Sequence, residues 1–143
     1  RTRPLWISQT LVRMTEQDQT EHLLGTCCEA LDDKKAEEIR ILKMGDRCSI
    51  ADYFIIATGT SQPHLKALNK SLEAALKEIG AEILGKERYR PSGWAVIDAI
   101  DVVVHVFSRE AREFYALENL WKDAENLDVS QFLKREETVS SDS

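Results

Sequence analysis

Cysteine is scarce in this chain: three in 143 residues, an odd number with no paired spacing. That excludes a disulfide framework. Neither C-x-x-C nor H-x-x-x-H spacing occurs, and a structural zinc needs four convergent ligands, so no metal site is expected from Cys27, Cys28, Cys48 and His22. Cys27 and Cys28 fall within a helical pattern, and one of them is expected to face the core as a small hydrophobe. Apolar runs are short, none approaching the roughly 18 residues a transmembrane helix requires. Basic residues are outnumbered, 19 against 25 acidic, for a formal charge of −6. A phosphate backbone wants a basic face; this balance suits docking onto a basic protein surface instead. Aromatics amount to only 7%, so where they cluster is informative.

What is present makes one α/β domain, since 143 residues can bury a core without staples. Residues 1–13 carry Arg1, Arg3 and Arg13 and no acid, and Met14-Thr-Glu-Gln reads as a natural start. Residues 1–14 are therefore expected to be a leader or disordered extension; an organellar presequence remnant is the sharper reading, but thirteen residues without an apolar region or cleavage signal are too few to support it. Thr15 and Asp18 open a helix with Leu23, Leu24, Cys27, Ala30 and Leu31 at three-to-four spacing. Residues 37–44 alternate as a half-buried strand, and 50–58 are almost continuously apolar, as in a central strand covered on both faces. Ser61 is an expected N-cap with Pro63 in the first turn, and the helix runs to about Ile79 before Gly80. Residues 81–88 read as a strand, which with the preceding strand and helix implies a parallel pair. After the Pro91-Ser-Gly93 turn, strands 94–98 and 101–108 form an antiparallel hairpin across Asp98-Ala-Ile-Asp101, and residues 109–121 take up helical period. The expectation is a mixed five-stranded sheet flanked by helices over residues 15–125. Residues 126–143 are expected to form a polar, disordered tail.

Enzymatic chemistry finds one foothold. Thr58-Gly59-Thr60-Ser61 lies between a buried strand and a helix, where backbone N–H groups can receive an anion, an outline like that of nucleotidyltransferases. Such a reaction needs two metals held by carboxylates on one strand face, hence D-x-D spacing. Asp98 and Asp101 are three apart and flank a turn. No Walker lysine pattern is present either. The chain thus keeps a nucleotidyltransferase-like outline without the catalytic carboxylates. No catalytic residue, cofactor or metal is assigned, and a nucleotide-binding or nucleotidyl-transferring enzyme using residues 59–61 stands as the alternative. His105, alone among valines, is expected to be a hydrogen-bonded structural residue; His64 sits in a first helical turn, exposed or capping.

The aromatic residues of 93–125 exceed what a core needs. Trp94 opens a strand after a tight turn, and Tyr115 lies beside Phe114 on a helix where both cannot face one stripe. Trp and Tyr anchor interfaces because they supply large rigid area with a polar tip. Trp94, Asp98, Asp101, Tyr115 and Glu118 are therefore the expected partner-binding residues. Phe114 and Trp121 are divided evenly between core and surface.

The same stretch carries a resemblance. Trp94-x-x-x-Asp98-x-x-Asp101-Val-Val-Val-His105-Val-Phe107, followed by Arg112-x-Phe-Tyr-x-Leu-Glu118-x-Leu-Trp121, resembles the Iojap or ribosomal silencing factor (RsfS) family. Upstream, Asp52-Tyr-Phe-Ile-Ile-Ala-Thr-Gly-Thr-Ser61 with His64 is similar to a second family segment. The matches span about residues 23–124. Two departures concern turns: Arg88 stands where the family usually has Gly after Glu87, and Ile100 where it usually has Gly before Asp101. The resemblance implies a non-enzymatic factor that binds the large ribosomal subunit through a basic protein on its intersubunit face, the fourteenth in large-subunit numbering. It implies that this blocks subunit joining sterically and lowers translation, that organellar relatives assist large-subunit assembly, and that homodimers are possible. The implied compartment is the cytoplasm, with an organellar matrix as the alternative.

Overall fold

A computed structural model describes residues 15–87 and 93–133. The expected leader, the Pro91-Ser92 part of the turn and the end of the tail lie outside the described residues. The chain forms α1 (Glu16–Asp33), β1 (Glu37–Lys43), a 3-10 turn (Gly45–Arg47), β2 (Tyr53–Gly59), α2 (Gln62–Glu78), β3 (Gly85–Glu87), β4 (Trp94–Asp98), β5 (Val102–Ser108), α3 (Arg109–Tyr115), α4 (Leu117–Leu120), β6 (Glu125–Leu127) and a second 3-10 turn (Val129–Phe132). Local sequence explains the helix starts. Thr15 Oγ1 accepts from Asp18 N at 3.0 Å, Ser61 Oγ from His64 N at 3.2 Å, and Ser108 Oγ from Ala111 N at 3.0 Å. Each satisfies an orphan donor of the first turn.

The strands make one mixed sheet of six, in the order β3-β4-β5-β2-β1-β6, rather than the five expected. The sixth is β6, whose residues Leu127, Asn126 and Glu125 pair antiparallel with Ile41, Leu42 and Lys43 of β1. Its polar composition suits an edge strand, which is why it reads as tail in sequence. The domain accordingly continues past residue 125. Phe132 and Leu133 pack against the core cluster that includes Leu23 and Leu24. The parallel partner of β2 is β5, with Gly59 opposite Ser108. β3 pairs antiparallel with β4 instead, so it runs in the direction of β2 without being its neighbour.

Alternation divides the sheet into two unequal faces. Ile41, Ile55, Ala57, Ile97, Val102, Val104 and Val106 meet α1 and α2, together with Leu24, Leu31, Leu68 and Leu72. Both Cys27 and Cys28 are buried there, where one was expected, since each lies against the packed side of α1. Among the described residues, the opposite face, with Leu42, Phe54, Ile56, Val103 and Phe107, is covered by the 44–51 segment, α3, α4 and Ala124. Toward β4 that cover runs out: Trp94, Val96 and Asp98 are half-buried while Ala95 and Ile97 are buried.

The helix expected over residues 109–121 is broken. Ala116 adopts φ 46°, ψ 48°, which ends α3 and starts α4 in a new direction. The residues of that helical period part company with it: Leu117 is buried and Trp121 half-buried, whereas Phe114 and Leu120 are 80% and 72% exposed.

Candidate functional site

The partly covered face carries a connected row of aromatic rings. Trp121 meets Phe54 edge-on at 5.9 Å between centroids, and Phe54 meets His105 at 4.8 Å. Trp94 contacts His105 at 5.9 Å, stacks on Phe107 at 5.1 Å and reaches Tyr115 at 4.7 Å. Tyr115 in turn meets Phe114 edge-on at 5.0 Å. The row crosses β2, β5 and β4 and ends on α3, so it exists only once the sheet and the hairpin are assembled. Two local features set its β4 end. Gly93 has φ +78°, and a Cβ there would lie 2.5 Å from Ser108 Oγ, so the turn into Trp94 requires glycine. Ser108 N also donates to Gly93 O at 2.8 Å.

His105 belongs to this row as a structural member, as its place among valines suggested. Trp94 Nε1–H donates to His105 Nδ1 at 3.2 Å, which leaves the neutral ring's proton on Nε2. Among the described residues Nε2 has no hydrogen-bond partner. Burial pushes the imidazole down to about 4, because a charged ring would lose its water.

The five residues expected to bind a partner do not fall in one place. Trp94 and Tyr115 touch. Asp98 shares the face of Trp94 but stands at the far end of β4, about 13 Å away at strand rise. Its Oδ1 accepts from Ile100 N at 2.9 Å, so it also holds the hairpin turn. Asp101 lies in that turn, half-buried, its carbonyl accepting from Asp52 N and Tyr53 N at 3.0 and 3.1 Å. Ile100, at the position of the usual family glycine, takes φ +75°, with Asp101 N bonded to Ala99 O at 2.9 Å.

Glu118 points elsewhere. Its carboxylate receives Arg112 Nε at 3.2 Å and Nη2 at 2.8 Å, a two-pronged pair. The hydrogen bonds from Arg112 hold the Glu118 carboxyl below its usual range, against an opposing effect of burial. Arg112 went unsuspected in the sequence, although it is 8% exposed and its Nη1 also donates to Thr58 Oγ1 at 2.7 Å and Glu38 O at 2.6 Å.

The turn at residues 58–61 borders a crevice of about 560 Å³ lined by residues including Gly59, Ser61, Gly93, Ser108, Glu110 and Tyr115. It lies at the carboxyl ends of the adjacent parallel strands β2 and β5, a usual place for ligands in open α/β sheets. Two of its amides are engaged locally. Thr60 N donates to His64 Nδ1 at 2.8 Å, His64 N to Ser61 Oγ, and Pro63 has none. His64 Nε2 completes the brace with Lys34 O at 2.6 Å, tying the turn to the end of α1. Asp98 and Asp101 stand at the opposite end of β5 from this turn: Asp98 pairs with Val103, while Ser108 pairs with Gly59. Carboxylates and crevice are thus separated by the length of the strand.

Comparison with known proteins gives a consistent answer. The family model described as "Ribosomal silencing factor during starvation" matches residues 17–143. A ribosomal silencing factor of Halalkalibacterium halodurans is 40% identical over 109 residues, 76% of this chain and 93% of the relative. One from Chromobacterium violaceum is 41% identical over 93 residues, 65% of this chain and 76% of the relative. The Arabidopsis thaliana protein named "Protein Iojap-related, mitochondrial" is 36% identical over 95 residues, 64% of this chain and 52% of that protein. Among solved structures, a Chromobacterium violaceum protein aligns with a TM-score of 0.69 at 37% identity, covering 76% of this chain and 88% of that one.

Proposed function

This chain belongs to the ribosomal silencing factor family, and from that premise we propose that it docks on the large ribosomal subunit and blocks joining of the small one. The partner in this reading is a basic protein on the intersubunit face, the fourteenth of the large subunit. The observation that carries it is the aromatic row ending in Trp94 and Tyr115 on a face that the described residues cover incompletely. Rigid aromatic area of this kind anchors protein interfaces, and an acidic rim speeds encounter with a basic surface. Trp94 and Tyr115 form the centre; Asp98 and Asp101 lie on the rim along β4 and its turn. Glu118 supports the patch from behind. Blocking by bulk needs no catalytic group, and the reading assigns none. A second copy of the chain could compete for the same face, which makes homodimers an alternative state of this surface.

Co-sedimentation with separated subunits tests the proposal. The protein is expected with large subunits and to lower their joining with small ones, more weakly as salt rises. Recovery only with small subunits, or free of both at modest salt, would refute it.

A further inference from the structure

Arg112 and Glu118 are six residues apart, and their side chains meet at 2.8 Å. In an unbroken helix that spacing turns two residues about a third of a turn apart and separates them by more than one turn, so they do not meet; neighbours on a helix surface are three or four apart. The contact exists because Ala116 turns the chain through the left-handed region between α3 and α4. A non-glycine residue pays conformational energy there, so something must hold the bend.

The Arg112 guanidinium is placed to do so. It is buried, and its hydrogen bonds reach three separate pieces of chain. Nη1 goes to the Glu38 carbonyl in β1, where the register with β2 shifts and φ is +48°, and to Thr58 Oγ1 in β2. Nε and Nη2 go to Glu118 in α4. Its own backbone carbonyl accepts from Ala116 N at 2.9 Å, at the bend itself. The side chain therefore fastens α3 and α4 to the sheet at one point. On one side of that point α3 holds Tyr115 against Trp94; on the other, α4 leads to Trp121 against Phe54.

We propose that the Arg112–Glu118 pair is the positioning element of the docking surface: it fixes the angle between α3 and α4 and so sets the two ends of the aromatic row. The inference rests on the docking reading above. It also gives Glu118 a role other than direct contact, since a carboxylate committed to a buried arginine offers little to a basic partner. The loss of one member leaves the other's charge uncompensated, and the bend loses its tie.

Glu118→Gln and Arg112→Lys, singly and together, test this in the full chain. Binding to large subunits is measured well below each variant's melting temperature, together with ring-to-ring proton contacts by NMR. Each single variant is expected to bind about tenfold more weakly, and the double variant no more weakly than the worse single, as for residues acting through one contact. The salt dependence of binding should match that of the parent, and the Tyr115–Trp94 ring contacts should weaken. Unchanged affinity in Glu118→Gln with a lowered melting point would make the pair merely structural and overturn the inference. Additive losses with a flattened salt dependence would make Glu118 a direct contact and overturn it equally. Glu118, with its side chain 31% exposed, can be changed with the fold kept even where Arg112→Lys fails to fold. If the parent does not bind large subunits, the docking reading fails, and the ring contacts still decide the positioning: left intact in Glu118→Gln, they overturn it.

Discussion

Trp94 and His105 are diagonal neighbours across β4 and β5, and the indole N–H donates to the imidazole Nδ1 at 3.2 Å. Directly opposite in register are Trp94 with Phe107 and Val96 with His105; the long indole bridges the diagonal, as aromatic side chains can. The bond places the polar atom of Trp94 inward, leaving its ring face to Tyr115. An edge of the row is thereby fixed within the fold, which in the proposed docking reading lowers the ordering cost of binding.

Trp94→Ala and Tyr115→Ala are expected to weaken large-subunit binding by a hot-spot amount, about 2 kcal/mol or more each. They should differ in stability. Tyr115 is 36% exposed and rests on Trp94 and Phe107, so its loss should lower thermal melting only slightly. Trp94 packs on Phe107 and His105, so its truncation should also lower the melting temperature. Affinities measured alongside melting curves decide; full binding by Tyr115→Ala would move the docking surface elsewhere, the polar side of α2 being the next candidate.

Much of this architecture was legible in sequence because local signals and burial agreed. Ser61 with Pro63 announced α2, and Trp94–Asp98 alternated in sequence as it does in the sheet. The failures share a cause: long-range contacts overrode local pattern. β6 has too few apolar residues to declare itself and exists through pairing with β1. The break at Ala116 is invisible to helical periodicity, which ran on through Leu117, Leu120 and Trp121. Arg112 was hidden for the same reason, its spacing from Glu118 making sense only after the break. Of the candidate site, Trp94 and Tyr115 stood out by residue type and touch in the structure; the separation of Asp98 and Asp101 from them required the strand register.

His105 should make stability depend on pH. Burial lowers its folded value to about 4 from 6.5, so between those values the unfolded chain binds the proton and the folded chain does not. Its contribution is whole above about pH 6.5, is lost as pH falls toward 4, and levels off below. The full loss is about 3 kcal/mol, by the usual conversion of a pKa difference. Glu118, whose carboxyl is lowered by Arg112, contributes above the unfolded carboxylate range and loses its share at lower pH. Urea midpoints taken from pH 7 to 5 should fall for the parent and fall much less for His105→Gln. Parallel curves for the two proteins would show that His105 is not the origin.

Ile100 carries a backbone conformation that suits glycine. Its φ of +75°, with Asp101 N bonded to Ala99 O across it, describes a tight turn that a β-branched residue occupies at a cost. Ile100→Gly is therefore expected to stabilise the domain by about 1 kcal/mol, offset in part by the lost side-chain contact and by glycine's greater unfolded-state freedom. Ile100→Val should not share the gain. Equal melting temperatures for parent and Ile100→Gly would mean that the lost side-chain contact and glycine's unfolded-state freedom fully offset the relief of strain.

Asp98 combines two tasks that a substitution can separate. Its Oδ1 accepts from Ile100 N and holds the hairpin turn, and its charge stands on the proposed rim, away from the aromatic centre. Asp98→Asn keeps an acceptor and removes the charge, so melting should be unchanged. A rim charge acts on encounter more than on residence, so association with large subunits should slow by a few-fold and depend less on salt, while dissociation stays as in the parent. Asp98→Lys should slow association further through repulsion from a basic partner and lower the melting temperature as well, the turn having lost its acceptor. Trp94→Ala should show the opposite pattern, with faster dissociation and near-normal association. Rates measured on immobilised subunits at two salt concentrations distinguish these cases. If Asp98→Asn associates as the parent does at both, Asp98 belongs to the turn alone, and the acidic rim must be sought along the 3-10 turn and β2 side of the same face.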